Sequence, residues 1–300
     1  MNKWSDFAKA LHGDEGFKLS SPTFSLSRGE QVFTIGSCFA RNIEESLSDT
    51  FEFPIKHYKS LPGEYAGERP RGILNKFTPL CMLTELEWFL EIDQLGVGFE
   101  DATIQRFFYG LDDSDRVIDL GLQQYAPVGE DRFWERRQHI YSVFESLKHV
   151  GCLIITLGLI EQWFYNDVIV QHAPNNKAML SDGELFRFES MDHDSIEDAL
   201  IRIVKVIETL NPSAKVVFTV SPVPLEKTFT SDHIYVANAR SKSRLLSAVQ
   251  SVMEKEAVDY FPSYEIVGLL GEQGYESDKR HVKNDAVDLV CNEFTRAYLR

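Results

Sequence analysis

Cysteine is scarce in this chain: Cys38, Cys81, Cys152 and Cys291 lie far apart and form no CxxC or Cys/His ligand spacing. That pattern argues against a disulfide scaffold and against a structural zinc site. Long hydrophobic runs are missing as well, since no stretch approaches the roughly 18 uninterrupted apolar residues of a membrane span. Residues 1–18 are polar and carry both charge signs, so no signal peptide is expected, and the expected location is cytoplasmic. Basic residues are in deficit, 31 Lys and Arg against 46 Asp and Glu, for a net charge of −15. Such a chain repels phosphate backbones, which argues against nucleic acid as a partner. The acidic charge is dispersed apart from short runs such as Asp112-Asp113 and Glu189 to Asp194, and reads as a solvated surface. No internal repeat or low-complexity linker interrupts the chain.

An apolar content of 43% is ample for a core. Runs rich in β-branched residues predict strands at Val32 to Ile35, Cys152 to Leu157 and Lys215 to Val220, with an extended segment around Val258 to Pro262. Between them the spacing predicts helices at Phe39 to Leu47, Pro79 to Glu91, Arg132 to His149, Ile196 to Leu210, Ala237 to Glu256 and Asn284 to Leu299. Strands alternating with helices of this length imply βαβ units, hence an α/β fold with a mostly parallel sheet covered on both faces. Two stretches break the rhythm. Thr103 to Leu120 suits a small hairpin, built from Ile104 to Phe108 and Arg116 to Leu120 around Gly110. Val168 to Phe188 holds two short apolar pieces around a polar loop, and insertions of this kind often shape a pocket mouth. The whole chain, 1–300, is expected to be one domain with excursions near 103–120 and 168–188.

The sharpest local feature is Gly36-Ser37-Cys38-Phe39-Ala40, between the first predicted strand and the first predicted helix. A serine in that turn sits at the carboxyl edge of a parallel sheet, where open α/β sheets bind ligands. The free N–H groups and positive dipole end of the following helix favour an oxyanion at the same spot. Ser is equally a preferred helix N-cap, so the turn alone leaves a structural role open. A serine nucleophile needs a base, and the base an orienting acid. Of the eight histidines, His281 stands apart, because Asp278 precedes it by three residues in a polar loop just ahead of the terminal helix. The adjacent Cys38 is a weaker nucleophile candidate, since neighbours at a helix start point in different directions. Lys242 and Arg244 read as a solvated helix face.

The pentapeptide resembles the signature of the GSCFA family, a branch of the SGNH-hydrolase (GDSL-like) superfamily. Further blocks match in order: Arg71-Gly72-Ile73-Leu74-Asn75, Thr156-Leu157-Gly158, Ser221 to Leu225, Ala237-Asn238 with Ser241-Lys242, Tyr260 to Glu265, and Asp278 with His281. The resemblance implies a three-layer α/β/α sandwich with a flavodoxin-like sheet. It implies Ser37 as nucleophile, His281 as base, Asp278 as its orienter, and the N–H groups of Ser37 and Gly72 as oxyanion donors. The superfamily's third block, Gly-x-Asn-Asp, is broken: Gly158-Leu159-Ile160-Glu161 stands there, and isoleucine cannot donate. Losing one oxyanion donor typically costs ~10² to 10³ in rate unless another group replaces it. Asn75 is the nearest substitute and Asn238 a more distant one. Gly158, Glu161 and Trp163, past the central strand's exit, are candidate pocket residues.

The resemblance thus implies a serine esterase that cleaves ester-linked acyl groups, acetyl on a carbohydrate first among them. A sugar O-acyltransferase using the same site and a catalytically silent carbohydrate-binding protein stay open as alternatives. The expected partner is a small-molecule or carbohydrate ester, with no metal or organic cofactor and no membrane; oligomeric state is left open.

Overall fold

The computed structural model describes residues 19–64, 70–111, 115–122, 126–171, 173–174 and 177–300. Its first half runs β1 (Val32–Gly36), α1 (Cys38–Ser46), α2 (Pro79–Asp93), α3 (Phe99–Phe107), β2 (Phe108–Gly110), β3 (Arg116–Asp119), β4 (Val128–Gly129) and α4 (Glu130–Phe144). The second half runs β5 (Cys152–Leu157), β6 (Glu161–Tyr165), β7 (Val168–Val170), α5 (Lys177–Ser181), β8 (Phe186–Ser190), α6 (His193–Leu210), β9 (Lys215–Val220), α7 (Ile234–Met253), β10 (Asp259–Tyr260), α8 (Ser263–Leu269) and α9 (Asn284–Tyr298). No described helix is long and apolar enough to cross a membrane.

Strands β1, β5, β9 and β10 form a parallel sheet in that spatial order. Every residue of β1 and β5 is buried, the signature of strands covered on both faces, which is why they read in sequence as unbroken apolar runs. Outside β1 the chain returns at Glu52 to make a single parallel bridge with Gln31. With Glu52 in the second position, the order is that of a flavodoxin-like sheet. The order reverses between β1 and β5, and an open α/β sheet binds its ligand at such a reversal. Helices flank the sheet as α/β/α layers, with α6 packed between α2 and α7, and α9 against α1 and α8.

Two small antiparallel sheets lie outside this frame, β2-β3-β4 and β7-β6-β8. The expected hairpin is present in part: β2 pairs with β3, but Ile104 to Phe107 is the end of α3 rather than a strand. Packing decides this, because Ala102, Thr103 and Phe107 share one buried helix face, and the Trp88 indole donates to Thr103 Oγ1 at 2.9 Å. The second excursion is wider than expected, since β6 anchors it by pairing with both β7 and β8. The two excursions meet in a satellite core of Tyr109, Ile118, Leu120, Val170, Met179 and Phe186.

Candidate active site

Gly36 ends β1 with φ +154°, a conformation that favours glycine, and a Cβ there would lie 2.4 Å from the Thr156 carbonyl oxygen. Glycine is therefore what lets the chain turn tightly against β5 and present Ser37. Ser37 is 2% exposed and caps α1, its Oγ accepting from the Phe39 N–H at 3.4 Å. The same residue, with Cys38 at the first turn of α1, lines a cavity of about 200 Å³. The turn is thus the helix cap that its sequence allows, and the capping residue also lines the cavity.

The opposite wall comes from the exits of β5 and β9. Gly158 fits closely, since a Cβ on it would meet the Phe77 carbonyl oxygen at 3.0 Å and Ser37 Cβ at 3.3 Å. The N–H groups of Gly158 and Leu159 both donate to that Phe77 oxygen, at 3.0 and 2.9 Å. Glu161 lines the cavity but its carboxylate is engaged: it accepts from Thr228 Oγ1 at 2.5 Å and from the Phe229 N–H at 2.9 Å. Its role is to tether the loop after β9. Trp163, also lining, meets Phe229 edge-on at 5.0 Å and Phe188 at 5.3 Å, which gives the cavity an aromatic side.

Asp278 and His281 come together in the loop before α9. Asp278 Oδ1 accepts from the N–H groups of Arg280 and His281 at 2.9 and 3.0 Å, and Oδ2 lies 2.5 Å from His281 Nδ1. Those two backbone donors, then the imidazole, hold the Asp278 carboxyl down to about 2. The tight turn needs φ +57° at Lys279. Tyr275 OH donates to the Pro222 carbonyl at 3.1 Å and Arg280 pairs with Glu226 at 3.1 Å, so the loop is docked on the segment that follows β9. Arg280 reaches the cavity lining; the His281 side chain is 59% exposed, and it shares no hydrogen bond with Ser37 among the described residues. Catalytic hydrogen bonds in ligand-free enzymes are often long and tighten with substrate.

The expected oxyanion donors are placed differently. The Ser37 N–H donates to the Thr156 carbonyl at 3.1 Å, extending the sheet ladder. Gly72 lies in a short 3-10 turn whose carbonyl accepts from the Asn75 N–H at 3.0 Å, and neither residue lines the cavity. Asn75 is buried at 2% and its carbonyl accepts from Gln171 at 2.7 Å. Asn238 lies behind the lining, where its Oδ1 accepts from the Leu225 N–H at 3.1 Å and so steadies the cavity wall. Ile160 is buried at 1%, packed in the core. The N-terminal end of α1 faces the cavity through Cys38, and Lys227 and Arg280 are also in the lining.

Sequence reasoning missed Lys242, which is no solvated helix residue but 2% exposed, its Nζ donating to the carbonyls of Gly158 and Val223 at 2.8 Å each. The signal was its place on the buried stripe of α7 formed by Ala237, Ser241, Leu245, Ala248, Val249 and Val252. No group of three or more His, Cys, Asp or Glu residues suited to a metal ion occurs among the described residues.

The model of the GSCFA family matches residues 31–294. No curated protein matches the chain. Among solved structures, a carbohydrate esterase family 3 protein from Talaromyces cellulolyticus is 10% identical with a TM-score of 0.38, over 89% of this chain and 95% of that one. A GDSL-like lipase from Parabacteroides merdae is 11% identical with a TM-score of 0.40, over 92% of this chain and 98% of that one. A mutant acetyl-xylooligosaccharide esterase from Geobacillus is 13% identical with a TM-score of 0.35, over 94% and 96%.

Proposed function

The chain belongs to the GSCFA family, and on that premise we propose that it is a serine hydrolase of ester-linked acyl groups, with an acetylated carbohydrate as its substrate class. The observation that carries this reading is a buried serine at a helix N-terminus, lining a cavity at the sheet's switch point, with an Asp-held histidine loop docked on the cavity's rim. His281 Nε2 takes the Ser37 hydroxyl proton as Oγ attacks the ester carbonyl, and Asp278 fixes the ring through Nδ1. Negative charge on the carbonyl oxygen develops in the field of the α1 N-terminus. The imidazolium returns its proton to the departing alcohol, leaving an acyl group on Ser37. Water, deprotonated by the same imidazole, then releases the acid. A cavity of about 200 Å³ suits a small acyl group. Trp163 and Phe229, packed edge to face in the lining, offer aromatic surface to the C–H side of a sugar.

The test is labelling by a fluorophosphonate probe. The wild type is expected to label and Ser37→Ala to lose the label; an intact protein that takes no label overturns the proposal. With para-nitrophenyl acetate, His281→Ala is expected to lower kcat by roughly 10³-fold or more, and an unchanged rate removes the histidine from the mechanism.

A further inference from the structure

Lys242 is a buried titratable group, bonded to two chain segments of the cavity wall, that ester cleavage as written above leaves unused. Its ammonium is buried outside the cavity lining and meets the cavity wall through the Gly158 carbonyl. The two carbonyls that it holds at 2.8 Å belong to the chain leaving β5 and the chain leaving β9, the neighbouring strands whose exits form that wall. Gly158 is held by Lys242 at its carbonyl and by the Phe77 oxygen at its N–H, and it lies close enough to Ser37 that a Cβ on it would come within 3.3 Å of Ser37 Cβ. Lys242 makes no ion pair among the described residues. The titratable group that acts on it electrostatically is Cys38, at the start of α1 in the cavity lining. An ammonium taken out of water without an anion is costly, and two neutral carbonyls offset only part of that cost. What this charge has close by is the cavity edge where the serine ester chemistry would create an oxyanion.

We propose that Lys242 is a positioning residue for the chemistry at Ser37, pinning the Gly158 turn against the serine and keeping an uncompensated positive charge behind the cavity wall that favours negative charge forming there. The inference rests on the ester-hydrolase reading. It supplies electrostatic help at the strand exit where Ile160 has no group to donate. Burial pushes the Lys242 ammonium down to about 7, with Cys38 acting against that shift, so the charge is lost as pH rises through neutrality.

The experiment measures kcat and KM for para-nitrophenyl acetate against pH, in the wild type and in Lys242→Met, which keeps the apolar stem and removes charge and both hydrogen bonds. In the wild type kcat is expected to fall above about pH 7, with KM steady. In Lys242→Met kcat below pH 7 is expected to drop roughly tenfold to a hundredfold, KM to stay within about twofold, and the falling limb to disappear. A wild-type kcat that stays level above neutrality overturns the inference even if the variant fails to fold. A variant that matches the wild type, or one that is slower yet keeps the falling limb, overturns it too. A wild type that neither takes the fluorophosphonate nor turns over the ester removes the hydrolase reading and this inference with it, whereas a labelled, active wild type beside an unaffected variant removes this inference alone.

Discussion

Single residues set the geometry of Ser37, and Gly36 is the most exacting of them. A methyl at Gly36 would sit 2.4 Å from the Thr156 oxygen and 2.6 Å from its Cβ, on a backbone already at φ +154°. Neither obstacle is a flexible side-chain end, so β1 and β5 would have to part where Gly36 pairs with Thr156. Gly36→Ala is expected to lower unfolding stability by about 2–4 kcal/mol and to abolish turnover, checked by urea denaturation and the acetate assay. Asp278 acts by another route. Its carboxyl is ionised at any pH above about 2, so the acid limb of a rate profile does not report on it. Asp278→Asn keeps the shape but removes the charge that fixes the imidazole; kcat is expected to fall by roughly 10³ to 10⁴ with thermal stability little changed. At this scale the cap at Ser37 and the contact between Asp278 and His281 were legible because cap and turn geometry are local. The partner of the Ser37 backbone was not, since the Thr156 oxygen that takes the Ser37 N–H lies 119 residues away in sequence.

Among elements, the parallel strands announced themselves because burial on both faces leaves no polar position in β1 or β5. β6 did not. Its burial follows no alternation, and Glu161 and Gln162 are buried there because groups remote in sequence satisfy them, Thr228 and Phe229 for the glutamate and Thr78 for the glutamine. Lys242 was misread for the opposite reason: a charged residue on an apolar stripe looks like a helix edge until the carbonyls that receive it are known. Glu161 makes the functional side of this visible. Replacing it by alanine frees the Thr228 hydroxyl and the Phe229 N–H, and releases the loop that carries Phe229 over Trp163. Glu161→Ala is expected to raise KM several-fold while kcat changes less, read from the acetate assay and from faster proteolytic cutting near residues 226–230.

The whole molecule is held across its layers by buried charge as well as by its core. Arg137 in α4, with a fully buried side chain, pairs with Asp119 in β3 and donates to Glu85 in α2 at 2.6 Å, while Lys76 reaches Glu85 at 2.9 Å. The same guanidinium lies over the Phe107 ring at 3.5 Å. This cluster ties the β2-β3-β4 sheet to the layer that covers the main sheet. Removing one partner strands the others: Arg137→Met leaves Glu85 and Asp119 buried with too little positive charge, and is expected to cost about 3–5 kcal/mol. Burial alone would raise the Glu85 carboxyl, but Arg137 and then Lys76 more than offset it, so it is held below its ordinary value of 4.5. Burial likewise opposes the shift at Glu64, which hydrogen bonds from Arg132 and the Leu61 N–H, with the charge of Arg136, bring down to about 2. Both groups therefore bind protons more weakly when folded than when unfolded. Their stabilisation is present above about pH 4.5 and drains away as pH falls through the folded values. Acid denaturation is expected to begin below about pH 4.5, and Arg137→Met, which returns Glu85 toward a higher value, to move its midpoint upward. Circular dichroism followed from pH 7 to pH 2 checks both, and a midpoint shared by wild type and variant would show that the cluster does not carry the acid sensitivity.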